Sequence, residues 1–311
     1  MTSIEHTPVL LNEVIAESKN LKRGWFVDCT LGGGGHFFAL SKINQRLLGL
    51  DVDRVAYKNI LNQLLKRGYV CENSKKASPL TFFRSNPKSK IIVQNSNFTN
   101  FLSICKDNDI KDVSLVLADL NLNSYQIKKS GRGFSFRDKK DVLLDMRFDI
   151  HQEIPTAADL VNGLSVRELT ELFKNFGEVR LAKIVAQKII KYRLKFGKIT
   201  TVGDFLKSID MNKEFFELKI HPATKIFMAL RIAVNSEFSA LQSLLGQSLF
   251  FINQGAKLLI ISFHSIEQKI IEDFANKNDL ALKKERPTLE EVQVNSSSRS
   301  AILNVITSNN E

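Results

Sequence analysis

The stretch from Trp25 to Asp53 holds an apolar run, four consecutive glycines, a short segment able to form a helix, and a second apolar run that ends in an acid. Strand, tight turn, helix and strand in that order commit a chain to an α/β layer with parallel strands. The glycines Gly32 to Gly35 lack a Cβ, so the backbone can approach a ligand closely and adopt positive φ at little cost. The first strand runs through Trp25-Phe26-Val27, with Asp28 and Cys29 where it turns into the loop. The second, Leu47 to Leu50, delivers Asp51 about 20 residues after the first glycine, the spacing at which a carboxylate meets the hydroxyls of a ribose.

The glycines do not follow the dinucleotide pattern, because Phe37, Phe38 and Ala39 occupy the region where a third glycine is wanted. No G-K-[ST] follows, which argues against a phosphate-cradling loop. A ribose acid without a phosphate grip fits S-adenosylmethionine better than NAD or ATP. The competing reading is a glycine-rich surface turn with no ligand.

At 311 residues, the chain is long enough for two domains or for one domain carrying a large insertion. Its 44 basic against 33 acidic residues leave a net charge of +11, which favours polyanionic partners by electrostatic steering, although a merely solubilising surface has the same sign. Three cysteines without a C-x-x-C pair and five widely spaced histidines support neither a disulfide framework nor a metal site. The first fifteen residues carry an early acid and too short an apolar run for a signal peptide, and no segment reaches the roughly 18 apolar residues of a membrane span. The expected setting is cytoplasmic and away from membranes.

Further short apolar runs read as strands at Ile91 to Val93, Val113 to Ala118, Lys257 to Phe263 and Ala301 to Thr307. Helical patterns separate them, with residues 7 to 18 and Val55 to Arg67 as the first two. Nearly unbroken apolar strands imply a parallel sheet covered on both faces, where ligands sit beyond the carboxyl ends of the strands. Gly32 to Gly35, Asp51, Phe98, Asp119 and His264 all fall at those ends. Residues 71 to 90 are polar and basic around a Leu80-Thr81-Phe82-Phe83 island and read as a surface insertion. Between the fourth strand and a helix near Ala223, amphipathic runs at 156–164, 165–176, 178–196 and 202–209 suggest an inserted helical domain. On the third, Leu181, Ile184, Val185, Ile189 and Tyr192 share one side. Arg180, Lys183, Lys188, Lys191, Arg193 and Lys195 cover much of the rest, as a solvated face or a nucleic-acid contact. The expected division is 1–135 and 221–311 for the α/β body and 136–220 for the helical insertion.

The segment Ala118 to Asp149 is dense in polar and aromatic side chains, and Arg beside Phe suits base stacking with phosphate pairing. Taken in order, GGGGH, the Asp119-Leu120 run with Ser124 and Gln126, GRGFSFR, LDMRFD, FGEVRLAKIVAQKI, HPATKIFMALRIAVNSE and ISFHSIEQKII resemble the bacterial small-subunit ribosomal RNA cytosine-N4 methyltransferases of the MraW/RsmH family. The likeness runs from His6-Thr7-Pro8 to Ser298-Arg299-Ser300-Ala301. It implies a Rossmann-like class I methyltransferase with an inserted all-helical substrate domain. The enzyme would use S-adenosylmethionine to methylate the exocyclic N4 of one decoding-region cytidine in 16S rRNA of the small ribosomal subunit.

By motif, Gly34, Gly35, His36, Asp51, Phe98, Asp119 and Gln126 would contact the cofactor. Asp119, Asn123 and Ser124 form the catalytic set, with Asp119 accepting hydrogen bonds from the cytosine amino group. Arg132, Phe134, Phe136, Arg137, Arg147 and His264 are the RNA-binding candidates. The chain departs from the family's usual DLGVSS run with Asn121 and Asn123. It also has Ser296-Ser297-Ser298-Arg299-Ser300 where the family reads Pro-Arg-Ser-Arg-Ser. Two other readings stay open: an RNA-binding assembly protein with a weakened site, and an adenosine-cofactor enzyme acting on small molecules. Whether the chain works alone or as a homodimer is not decided by sequence.

Overall fold

A computed structural model describes residues 8–22, 24–72, 79–84, 89–122, 127, 130–209 and 222–309. The chain forms two units, Met1–Asn121 with Phe238–Glu311, and Leu122–Glu237. The helical unit thus extends past the expected 136–220 at both ends. Phe134, Leu144 and Met146 on one side and Ala223, Ile226, Phe227 and Leu230 on the other are buried in its single core.

The first unit is built on strands β1 (Trp25–Asp28), β2 (Arg46–Asp51), β3 (Val70–Cys71), β4 (Leu80–Phe83), β5 (Lys90–Asn95), β6 (Val113–Asp119), β7 (Lys257–Ser262), β8 (Leu280–Glu285) and β9 (Ile302–Ser308). They make one sheet in the order β3-β4-β5-β2-β1-β6-β7-β9-β8. The five strands from β5 to β7 are parallel, while β9 pairs antiparallel with both β7 and β8. The chain leaves β1 toward β2 on one side and returns to β6 on the other, so a crevice opens at the tip of β1.

Side-chain alternation divides the apolar strands between two faces. Phe26, Leu47, Ile91, Leu115 and Leu259 meet Phe37, Ile60 and Leu64 on one face. Val27, Leu48, Ile92, Val116 and Leu258 meet Phe101, Leu244 and Phe251 on the other. Helices α1 (Leu11–Ser18), α2 (Gly35–Leu40), α3 (Arg54–Lys66) and α4 (Phe101–Asp107) cover the first half of this sheet in sequence.

Part of the expected surface insertion is an extension of the sheet. Strand β4 pairs antiparallel with β5 and places Phe82 in the core, because alternate residues of the apolar island face inward. Strand β8, LALKKE, went unread since its lysines belong to a half-exposed edge where little apolar pattern is required.

The second unit contains α5 (Ala157–Gly163), α6 (Val166–Gly177), α7 (Ala182–Phe196), α8 (Val202–Ile209) and α9 (Pro222–Asn235). Capping boxes at Thr156 and Ser165 start α5 and α6 by satisfying otherwise open backbone N–H groups. Helix α7 begins at Ala182 and not Glu178, because Glu178 takes a left-handed φ of 47° that closes α6. Its buried stripe is Ala182, Val185, Ala186 and Ile189, while Ile184 faces out. The Arg193 guanidinium donates to the carbonyls of Val161, Asn162 and Leu164 at 2.7–2.9 Å, capping the end of α5, so it does not belong to a free basic face. The remaining helices are α10 (Glu237–Ile252), α11 (Ser265–Lys277) and α12 (Leu289–Val294), all in the first unit after its opening residue. Among the described residues, no helix is long and apolar enough to cross a membrane.

Candidate active site

Three carboxylates stand at the carboxyl ends of neighbouring parallel strands: Asp28 on β1, Asp51 on β2 and Asp119 on β6. They are only 2%, 8% and 9% exposed. The glycine turn folds over them, with Gly32 and Gly34 at φ 48° and 87°. At Gly34 a Cβ would also come within 2.7 Å of Ile60 and Phe38, so that position excludes any side chain.

The Gly32 N–H donates to Asp51 Oδ2 and the Asp53 N–H to Oδ1, both at 2.8 Å. Asn95 on β5 donates to the carbonyls of Asp51 and Val52, fixing the strand end from the other side. Thr30 joins the other two tips. Its N–H donates to Asp28 Oδ1 at 3.0 Å, and its Oγ1 accepts the Asp119 N–H at 2.7 Å.

Burial disfavours the charged form of each acid and pushes all three up to about 7. For Asp51, the backbone N–H donors of Gly32 and Asp53 oppose that rise and the charges of Asp53 and Asp28 add to it. At Asp119 the Asn121 N–H opposes burial, and the nearby Glu267 carboxylate adds to it. Asp28 Oδ2 is buried with no hydrogen-bond partner among the described residues.

His36, on α2, is buried and its Nε2 lies 2.9 Å from the Val9 carbonyl. A carbonyl only accepts, so Nε2 carries the proton in that contact, and in the neutral ring Nδ1 is left as an acceptor. Nδ1 lies 3.9 Å from Asp119 Oδ2. The Val9 segment is held at both ends, since Pro8 packs on Gly35 and the Leu10 N–H donates to Glu291 Oε1 of α12 at 2.8 Å. Buried acids, a side-chain-free turn and a fixed imidazole together suit a small ligand that carries hydroxyls and positive charge.

A profile of the MraW methylase family matches residues 3–309. The chain belongs to the MraW methylase family. Relatives named ribosomal RNA small subunit methyltransferase H agree across most of its length. The protein from Desulfosudis oleivorans is 36% identical, covering 87% of this chain and 81% of its own. That from Thermosipho melanesiensis is 34% identical over 97% of each. The Dictyoglomus thermophilum protein is 35% identical, covering 96% of this chain and 95% of its own.

The fold of the MraW family is that of class I S-adenosylmethionine-dependent methyltransferases, and S-adenosylmethionine is its cofactor. The strand-tip residues fit that group. Asp28 Oδ2 has an unused acceptor position, and each Asp51 oxygen, already holding one backbone N–H, has a second lone pair for a ribose hydroxyl. Phe98 is half-buried three residues beyond the end of β5 and partly packed on the core.

The structure brings Gly34, Gly35, His36, Asp51 and Asp119 together around the strand tips. Asn123, Ser124 and Gln126 lie outside the described residues. His264 caps α11 from the end of β7, its Nε2 3.0 Å from Glu267 Oε1 and its ring 5.5 Å from that of Phe238.

Four of the RNA-binding candidates are engaged within the helical unit. Arg132 is buried and donates to the carbonyls of Arg147 and Phe148 at 3.1 and 2.6 Å. Phe134 lies in the core, stacked on Phe148 at 6.0 Å. Phe136 packs edge-on against Phe227. Arg147 makes a two-pronged pair with Asp145 at 2.8 and 2.9 Å, which holds its guanidinium above its ordinary range. Arg137 is exposed, its guanidinium 5.6 Å from the Phe136 ring centre.

Reading by motif missed Asp28, Glu267 and Glu291. Asp28 carried a signal, an acid ending an apolar strand just before a glycine turn. The other two act through contacts that no local spacing reveals.

Proposed function

We infer that this chain transfers a methyl group from S-adenosylmethionine to the exocyclic N4 of a cytidine in the RNA of the small ribosomal subunit. The observation that carries the reading is the trio of buried strand-tip acids around the glycine turn, in a chain that aligns end to end with relatives named for small-subunit rRNA methylation. When bound, S-adenosylmethionine supplies an activated methyl on a cationic sulfur.

Asp51 would hold the ribose and Phe98 would face the adenine. Gly34, Gly35, His36 and Asp28 receive the amino-acid end. Replacing lost water contacts with these fixed acceptors orients the cofactor without further rearrangement.

The cytosine amino nitrogen is a weak nucleophile, because its lone pair is delocalised into the ring. Asp119 in its carboxylate form accepts a hydrogen bond from that amino group and draws the nitrogen toward a tetrahedral shape. The nitrogen would gain the methyl as the methyl–sulfur bond breaks, that bond's electron pair neutralising the sulfonium, and it would then lose one proton. A carboxyl group poised near neutrality is suited to receive that proton and pass it to solvent.

The test is methyl transfer from labelled S-adenosylmethionine to small subunits purified from cells lacking the gene, followed by nucleoside mass spectrometry. N4-methylcytidine is the expected product. Label on another atom or base overturns the assignment of the reaction. Subunit binding without transfer, while the cofactor binds, points to an assembly protein.

A further inference from the structure

We propose that the outer face of α7 and the turn after it form a docking surface for single-stranded RNA, with the phosphates held by Lys183, Lys191, Lys195 and Lys198 and one base stacked on Phe196. This deepens the functional reading above and rests on it. Between Val179 and Gly203 the sequence carries seven lysines and arginines and no acid. Of these, Arg193 is consumed in capping α5. Lys183, Lys191 and Lys195 are exposed and form no ion pair among the described residues. The nearest acids on α6 are already engaged, Glu168 with Ser165 and Glu171 with Arg167.

The apolar component on this face is unusual for a solvated helix. Leu194 is 82% and Phe196 64% exposed, while the stripe opposite packs in the core. Ile190 and Leu194 line a shallow groove with Val166, rimmed by Gln187, Lys191 and Lys195. The Phe196 ring is braced at 4.9 Å by Tyr192 and has the Lys195 ammonium 4.9 Å from its centre.

The turn beyond is held firmly. Ile199 donates its N–H to Asn162 Oδ1 at 3.0 Å, and Asn162 Nδ2 returns a bond to the Ile199 carbonyl at 2.7 Å. An aromatic platform among exposed cations on a fixed turn, where Lys198 alone feels a nearby acid, Asp159, matches the alternating base and phosphate of an extended strand. A partner without anionic groups would leave these cations without a counter-charge.

The experiment compares the full-length protein with a variant carrying Lys183→Ala, Lys191→Ala, Lys195→Ala and Lys198→Ala, and separately with Phe196→Leu. The probes are a single-stranded RNA oligonucleotide of mixed sequence and small subunits lacking the methylation. The lysine variant should bind the oligonucleotide at least tenfold more weakly, and the slope of log affinity against log salt should flatten by about 0.7 per lost contact. Phe196→Leu should lose about tenfold with its salt slope intact, since stacking and not charge is removed. S-adenosylmethionine affinity should be unchanged in both.

Unaltered oligonucleotide affinity and slope in both variants would overturn the proposal. So would weakened subunit binding with naked RNA binding intact, which would assign this face to a protein of the subunit. If the lysine variant proves unfolded by thermal melting, the Phe196→Leu result decides. Absence of methyl transfer by the unmodified protein tells against the functional reading instead, whichever way the variants behave.

Discussion

Glu291 and Leu10, separated by 281 positions, are joined by a single 2.8 Å hydrogen bond from the Leu10 N–H to Glu291 Oε1. Leu10 takes a left-handed φ of 54° at that point, a conformation a leucine adopts only when its surroundings hold it there. The neighbouring Val9 carbonyl then meets His36, and Pro8 covers Gly35. A helix late in the chain therefore holds the Pro8–Leu10 segment in place against the glycine turn and His36.

Glu291→Ala is expected to weaken S-adenosylmethionine binding by about ten- to a hundredfold, in line with about 1.5–3 kcal/mol for a hydrogen bond to a charged group. Glu291→Gln keeps an acceptor and should recover most of that loss. Titration calorimetry on both variants checks this. Equal losses would show that only the charge matters.

Affinity for the cofactor should depend on pH in a definite direction. The strand-tip acids are raised to about 7 in the free protein, so below that pH they hold protons that a cationic ligand must displace. Binding should strengthen as pH rises from 6 to 8 and level off above, by up to about tenfold per pH unit for each linked proton. Calorimetry at pH 6 in buffers of different ionisation heat should register proton release on binding.

The same acids set the opposite trend for the free protein. A carboxyl that holds its proton more tightly folded than unfolded favours the fold at low pH. That contribution is complete below the ordinary 3.8 and is lost as pH climbs to about 7. Cofactor-free protein should therefore be more stable to urea at pH 6 than at pH 8 with respect to these groups, and saturating cofactor should narrow the gap. Asp51→Asn, which removes one such charge, should reduce the difference in the free protein.

Arg132→Ala should destabilise the helical unit by about 2–3 kcal/mol, because two carbonyls lose a buried charged donor. Its RNA binding should keep the salt slope of the unmodified protein. Urea unfolding and salt-dependent binding test both halves, and a flattened slope in a fully folded variant would return Arg132 to the RNA-contacting set.

The parallel core of the first unit was readable because strands buried on both faces must be apolar nearly throughout, so an acid that ends such a run is conspicuous. Asp51 and Asp119 stood out for that reason. Strands β4 and β8 lie toward the sheet edges, where pairing tolerates lysine and serine, so they left a weaker trace.

Arg132, Phe134 and Phe136 show a different difficulty. Arginine beside phenylalanine in a glycine-punctuated loop has the composition of an RNA contact and equally that of a loop folded into a core. The carbonyls of Arg147 and Phe148 and the Phe148 and Phe227 rings supply intramolecular partners that no local spacing reveals. On α7, helical spacing identified Val185 and Ile189 as inward-facing but misplaced Ile184, which lies a short rotation outside the buried stripe.

Strand β9 lies between β7 and β8 and pairs with both. Translation must therefore pass Ser308 before β8 can join the sheet, and until then β7 presents one bare edge to the cell.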